Sequence, residues 1–379
     1  MTSQNKHWIY ENVRAVHLEA STLCNSICPW CPRYNNFSPN LNPNIVEEAY
    51  TLKRFKEHFP IEFIKQIDFW TFAGDYGDPC TCPDLIPILE HLTEVRPDSN
   101  MQINTNGGMK TTPFWIALGE LFKQNHSRYV IFSVDGLEDT NHIYRRNVKW
   151  NKVRDNMYSY SQTGATGIWE FLKFKHNEHQ LKEAKEMADW LGFEIRFKNP
   201  NGFEGGPMPA RDKDYNIEYE MFPATGREIN EIPQRSVDFI NLINTDTLDY
   251  ADYKDRVESL YEDKSGCITC AANHTLGGGN EIRINCDGAV WPCSFFGHLS
   301  KKYLKNRIVG RIQQWQMEDV FKDVKNNLNE MSLKEILDND PFRPVYERWE
   351  GNKILECYDV CGPKPIMEKI YEGADNRRK

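Results

Sequence analysis

Six short β-rich runs alternate with amphipathic stretches between residues 15 and 200, a pattern that leaves few architectures open. The runs are AVHLEA (15–20), IKQIDFWTFAG (64–74), MQINTNG (101–107), RYVIFSVDG (128–136), GIWEFLKFK (167–175) and EIRFKNP (194–200). Between them, apolar residues recur at three and four positions in NIVEEAYTLKRFKEHF (44–59), PDLIPILEHLTEV (83–95) and EHQLKEAKEMADWLGF (178–193). That spacing predicts helices, the last one ending at Gly192. Strands joined by helices return the chain to the same end each time, which makes a parallel sheet. The expected class is α/β, an open or partial (β/α) barrel.

In such barrels the chemistry sits at the carboxyl ends of the strands. Each run here ends on something polar or glycine-rich: a cysteine loop after the first, then GDYGDP, NTNGG, SVDG, KFKHN and KNPNG. From residue 201 the pattern breaks into NGFEGGPMPARDKDYN, which reads as a linker or substrate-facing segment over 201–266. A smaller cysteine-rich α+β domain is expected over 267–379, with a short hairpin in NEIRINCDGAVWPC turned by Asp287 and Gly288.

Charge and hydropathy exclude several roles. The 46 Lys and Arg against 55 Asp and Glu leave a formal net charge of -9, which offers no global attraction to nucleic acid or anionic lipid. No run of about 18 uncharged apolar residues is present, and MTSQNKHWIYENVRAVHLEA lacks the apolar core of a signal peptide. The expectation is a cytoplasmic protein. In a reducing compartment its eleven cysteines are free thiols, available to metals, rather than disulfides.

Three of those thiols, Cys24, Cys28 and Cys31, stand in the spacing CxxxCxxC directly after the first strand, with Trp30 before the last. Three thiolates hold three corners of a cubane iron–sulfur cluster and leave the fourth iron open. Three thiols also suit a zinc site completed by a distant ligand. The motif resembles that of the radical SAM superfamily, CxxxCxφC with φ aromatic. The resemblance, covering about residues 13–200, implies a partial (β/α)6 core over 1–200 and a 4Fe-4S cluster whose open iron is chelated by S-adenosyl-L-methionine (SAM). It further implies that an electron from a low-potential donor such as flavodoxin or ferredoxin cleaves SAM, and that the 5'-deoxyadenosyl radical abstracts hydrogen from substrate.

The resemblance assigns further SAM contacts at strand ends. GDYGDP looks like a variant of the GGEP segment that holds the SAM ammonium, with Gly74, Asp75, Gly77 and Asp78 as candidates. Asp in place of Glu, and the inserted Asp-Tyr, leave open which carboxylate binds. Asn104 and Asn106 of NTNG and Ser133 and Asp135 of SVDG resemble residues lining the SAM ribose and carboxylate, and Trp30 has a counterpart beside the adenine.

At the far end, Gly288 and Cys293 fit the Gly-x4-Cys element of SPASM and twitch domains, with Cys267 and Cys270 upstream and Cys357 and Cys361 downstream. Six cysteines, counting Cys286, favour one auxiliary 4Fe-4S cluster; the preferred ligands are Cys270, Cys293, Cys357 and Cys361, with Cys267 a competitor and Cys286 a spare. A structural zinc would suit the same thiols. Cys80 and Cys82 read as unligated. The leading expectation is a radical SAM oxidoreductase acting on a peptide or protein side chain. The alternatives are a dehydrogenase of a small alcohol or amino sugar, and a non-catalytic metal-binding scaffold.

Overall fold

A computed structural model describes residues 8–35, 37–200, 207–225, 280–293, 296–297, 321 and 323–347. The six expected strands all form: β1 (Val13–Leu18), β2 (Phe69–Phe72), β3 (Asn100–Thr105), β4 (Arg128–Ser133), β5 (Thr166–Leu172) and β6 (Glu194–Lys198). They pair in parallel, in sequence order.

Alternation along each strand separates two faces. Trp70 and Phe72 of β2 and Val130 and Phe132 of β4 are buried against helices α1 (Leu52–His58), α2 (Ile61–Gln66), α3 (Leu85–Val95), α4 (Thr112–Phe122), α6 (Trp150–Ser161) and α7 (Leu181–Leu191), which share one core with the sheet, whereas α5 (Asn141–Tyr144) packs through Tyr144 beside Cys28. Phe55 of α1 and Phe59, which follows it, meet Trp70 at ring-centroid distances of 5.7 and 5.4 Å; Trp115 of α4 and Tyr160 of α6 meet Phe132 at 5.3 and 5.7 Å. Each large side chain so buried stabilises the fold by roughly 1.5–3 kcal/mol. Of the intervening residues, which face away from the helices, His17, Thr71, Gln102, Asn104, Ser133 and Glu170 are polar. α7 buries Ala184, Ala188 and Leu191 at helical spacing and ends at Gly192 with φ +70°, as expected.

One helix is shorter than its periodicity predicts. Residues 44–51 are not helical, because long-range backbone bonds hold them beside β1: Thr22 N–H donates to Glu48 O and Tyr50 N–H to Ala20 O, both at 2.9 Å. α1 starts only where Thr51 caps it by accepting from Arg54 N–H.

The described part of segment 201–266 forms an antiparallel hairpin, β7 (Met208–Arg211) and β8 (Ile217–Met221). It lies over the cysteine loop: Met208, Ala210 and Met221 pack with Cys28, Tyr144 and Phe174, and Arg211 N–H donates to Phe37 O.

The described C-terminal residues are α+β. The hairpin turned at Asp287 and Gly288 (φ +86°) is present as β9 (Asn280–Ile284) and β10 (Val290–Trp291), followed by α8 (Leu333–Asp338) and α9 (Arg343–Tyr346). Its strands start no new sheet. β9 runs parallel to β1 with His17 opposite Arg283, giving the order β10-β9-β1-β2-β3-β4-β5-β6. Among the described residues no helix is long and apolar enough to cross a membrane.

Candidate SAM and cluster site

The cysteine loop leaves β1 and is pinned by its backbone: Ile27 N–H donates to Arg146 O, Cys31 N–H to Cys28 O, and Tyr34 Oη to Ser26 O. Polar donors surround the sulfurs. Ser26 N–H reaches Cys24 Sγ at 3.4 Å, Ser26 Oγ lies 3.0 Å from Cys28 Sγ, Asn106 Nδ2 donates to Cys24 Sγ at 3.7 Å and Arg145 Nη1 to Cys28 Sγ at 3.6 Å. Burial pushes the Cys31 thiol up to about 12 and raises Cys24 further, so metal charge would be needed to hold them as thiolates. Three thiols in one loop, two of them with donors aimed at sulfur, fit an iron–sulfur cluster, whose potential such donors tune. Among the described residues no three His, Cys, Asp or Glu converge as a single-ion site requires. A cubane takes one thiolate per iron and needs no such convergence.

Asp78 and Asn106, both candidates from sequence, meet. The buried Asp78 carboxylate accepts from Cys80 N–H (2.9 Å), Thr105 Oγ1 (2.9 and 3.0 Å) and Asn106 N–H (2.8 Å). Burial raises its pKa against those bonds. Asp78 thereby ties the end of β3 to the segment after β2, and Asn106 carries the link on to Asn25 Oδ1 and Cys24. Glycine is required beside it: a Cβ on Gly77 would stand 2.0 Å from Ser21 O, and one on Gly74 2.3 Å from Gly77 O.

Asp135, another candidate from sequence, follows the end of β4. Its fully buried carboxylate accepts from Arg145 Nε at 2.6 Å and Leu172 N–H at 2.7 Å, so it orients Arg145 toward Cys28. Asparagine amides brace the turn: Asn177 Nδ2 donates to Asp135 O and Asn141 Oδ1 accepts from Asp135 N–H. Asn104 Oδ1 accepts from Gln102 Nε2, Ser133 ends β4 opposite Glu170, and Trp30 packs on Phe37 at 5.4 Å within the loop. Cys80 and Cys82 are buried in the core, Cys82 Sγ donating to Tyr50 O; Cys286 is buried too. Cys293 is partly buried near the hairpin, whereas Cys267, Cys270, Cys357 and Cys361 lie outside the described residues.

Asp75 belongs to a second polar cluster whose other members sequence reasoning missed. Arg283 Nη2 lies 3.0 Å from Asp75 Oδ2 and 3.8 Å from Glu19 Oε1, and Arg283 Nη1 meets His17 Nε2. Burial pushes the Glu19 carboxyl up to about 7 against the pull of Arg283. Desolvation and the guanidinium together hold His17 well below its usual range. A signal was available: His17 and Glu19 alternate with Val16 and Leu18, and Arg283 stands between Ile282 and Ile284, polar residues flanked by apolar ones. Arg145 gave no comparable signal.

The His17 shift sets a pH dependence. A histidine kept neutral when folded contributes stability that is present above its unfolded pKa and lost as pH falls below it. Wild-type protein should therefore lose up to about 1.4 kcal/mol per pH unit below about 6.5 from this group, and His17→Asn should lack that component. Urea midpoints at pH 7.5 and 5.5 check it; equal slopes for the two proteins would refute the neutral histidine.

No protein-family model matches the chain, and no curated protein matches it in sequence. Solved structures do match in fold. Streptococcus suis SuiB bound to S-adenosylmethionine superposes with a TM-score of 0.53 at 13% identity, covering 91% of this chain and 69% of that one. SuiB bound to its precursor peptide SuiA gives 0.52 at 14% identity, covering 91% and 68%. With its parallel sheet, its cysteine loop after β1 and these neighbours, the chain has the fold of the radical SAM enzymes.

Proposed function

We propose that the protein is a radical SAM enzyme acting on a peptide or protein side chain, with a 4Fe-4S cluster on Cys24, Cys28 and Cys31. The observation that carries this reading is that the Asp78–Asn106 and Asp135–Arg145 pairs at the strand ends aim donors at Cys24 and Cys28 Sγ in the three-cysteine loop. The fold shared with SuiB supports it, and the SuiB structure with a bound precursor peptide favours a peptide substrate. When bound, the cluster and SAM supply hydrogen-atom abstraction from an unactivated carbon. The chain's own residues orient and enclose. Asp78 fixes Asn106 and the 104–107 turn, the Gly74 and Gly77 positions allow close backbone approach, and the β7–β8 hairpin covers the cysteine loop.

An auxiliary 4Fe-4S cluster on Cys293 with Cys270, Cys357 and Cys361, Cys267 competing, completes the reading. It would accept the second electron of a substrate oxidation or position substrate, and a flavodoxin or ferredoxin would reduce the first cluster. Anaerobic reconstitution tests the whole: about eight iron per chain, binding of SAM, and release of 5'-deoxyadenosine with dithionite are expected. About four iron with cleavage intact would remove the auxiliary cluster, and zinc without cleavage would overturn the proposal.

A further inference from the structure

A guanidinium carries five N–H donors in a fixed fork and no acceptor, so a buried arginine needs acceptors on every side. Arg283 is fully buried, and its surroundings come from three parts of the chain. From its own hairpin, Asn285 Oδ1 accepts from Nε at 3.2 Å. From β1 come His17 Nε2, against Nη1, and Glu19 Oε1, 3.8 Å from Nη2. From the segment after β2, Ala73 O accepts from Nη1 at 3.2 Å and Asp75 Oδ2 lies 3.0 Å from Nη2. Ala73 and Asp75 flank Gly74, and the next residue, Tyr76, donates its N–H to Glu19 Oε1 at 2.9 Å. The path of the chain through Gly74 is thus set by an arginine from β9 and by the carboxylate it faces.

We propose that Arg283 is a positioning residue that holds segment 73–76 in its SAM-binding form, so that the SAM site is complete only when the C-terminal hairpin is docked beside β1. The inference rests on the SAM reading above. Glu19 and Asp75 share this one guanidinium; without it two carboxylates would face each other in a buried site, and the segment would shift or take up a proton. Linkage then imposes a reciprocal effect: if the docked hairpin tightens SAM binding by some factor, SAM stabilises the docked hairpin by the same factor.

Hydrogen exchange on the wild-type, cluster-loaded chain, with and without saturating SAM, reads this coupling. Amides of residues 283–285 should slow by about tenfold or more together with those of 74–78. Protection that stops at 74–78 overturns the inference. Arg283→Gln, with its iron content retained, should bind SAM about tenfold more weakly by calorimetry, and Arg283→Lys should recover part of the loss by restoring charge without the fork. A Gln variant with wild-type affinity also overturns it, and if that variant does not fold, the exchange experiment decides alone. Wild-type protein that binds no SAM would overturn the SAM reading itself; bound SAM without coupling overturns only the role of Arg283.

Discussion

Replacing Cys24, Cys28 and Cys31 together by alanine is expected to abolish 5'-deoxyadenosine formation and to remove about four iron per chain. The effect should be complete rather than partial, since each thiolate anchors a different iron and no protein ligand takes its place. The fold should survive. The loop is pinned by Ile27 N–H on Arg146 O, Thr22 N–H on Glu48 O and the Tyr34 hydroxyl on Ser26 O, none of which uses a sulfur. Circular dichroism and gel filtration should therefore match wild type while iron and product vanish. Product that persisted in the triple variant would remove the cluster from this loop.

Asp135→Ala should destabilise the protein by about 3–5 kcal/mol, because it leaves the Arg145 charge without its partner and Leu172 N–H without an acceptor in the interior. Truncating one member of a buried pair is the costly change; removing both is far milder. A double variant, Asp135→Leu with Arg145→Met, should regain most of the lost stability. It would also leave Cys28 Sγ without the Arg145 donor. Urea denaturation of Asp135→Leu, Arg145→Met and their combination closes a double-mutant cycle that isolates the pair. A loss below about 1 kcal/mol in Asp135→Ala would show that the pair is not an anchor.

The sheet was legible because its information is local. In RYVIFSVDG a β-branched and aromatic run ends on a polar turn within nine residues, and EHQLKEAKEMADWLG carries both its helical stripe and its terminator. Residues 44–51 misled because their backbone bonds go to Ala20 and Thr22, partners no local pattern reveals. The site divides the same way. The cysteine spacing is a local signature, whereas the work of each carboxylate depends on what distant segments bring to it. Asp78 accepts from the end of β3 and Asp135 from Arg145, and Asp75 meets Arg283 from the other end of the chain. Spacing could nominate these residues but not say which protein groups already occupied their oxygens.

The parallel pairing of β9 with β1 bears on how the chain is made. His17 and Arg283 are 266 residues apart in sequence, yet stand opposite each other in the sheet. At roughly 5–20 residues per second of synthesis, one side of β1 waits roughly 13–53 seconds for its neighbour to leave the ribosome. Throughout that interval β1 is an unpaired edge, open to pairing with any passing strand. Closing so long a loop is entropically slow, and its cost falls late, after the other five strands can already have assembled. Between the synthesis of β6 and that of β9 a nascent chain of this protein is therefore a nearly finished sheet with one exposed seam, the kind of surface that chaperones exist to cover.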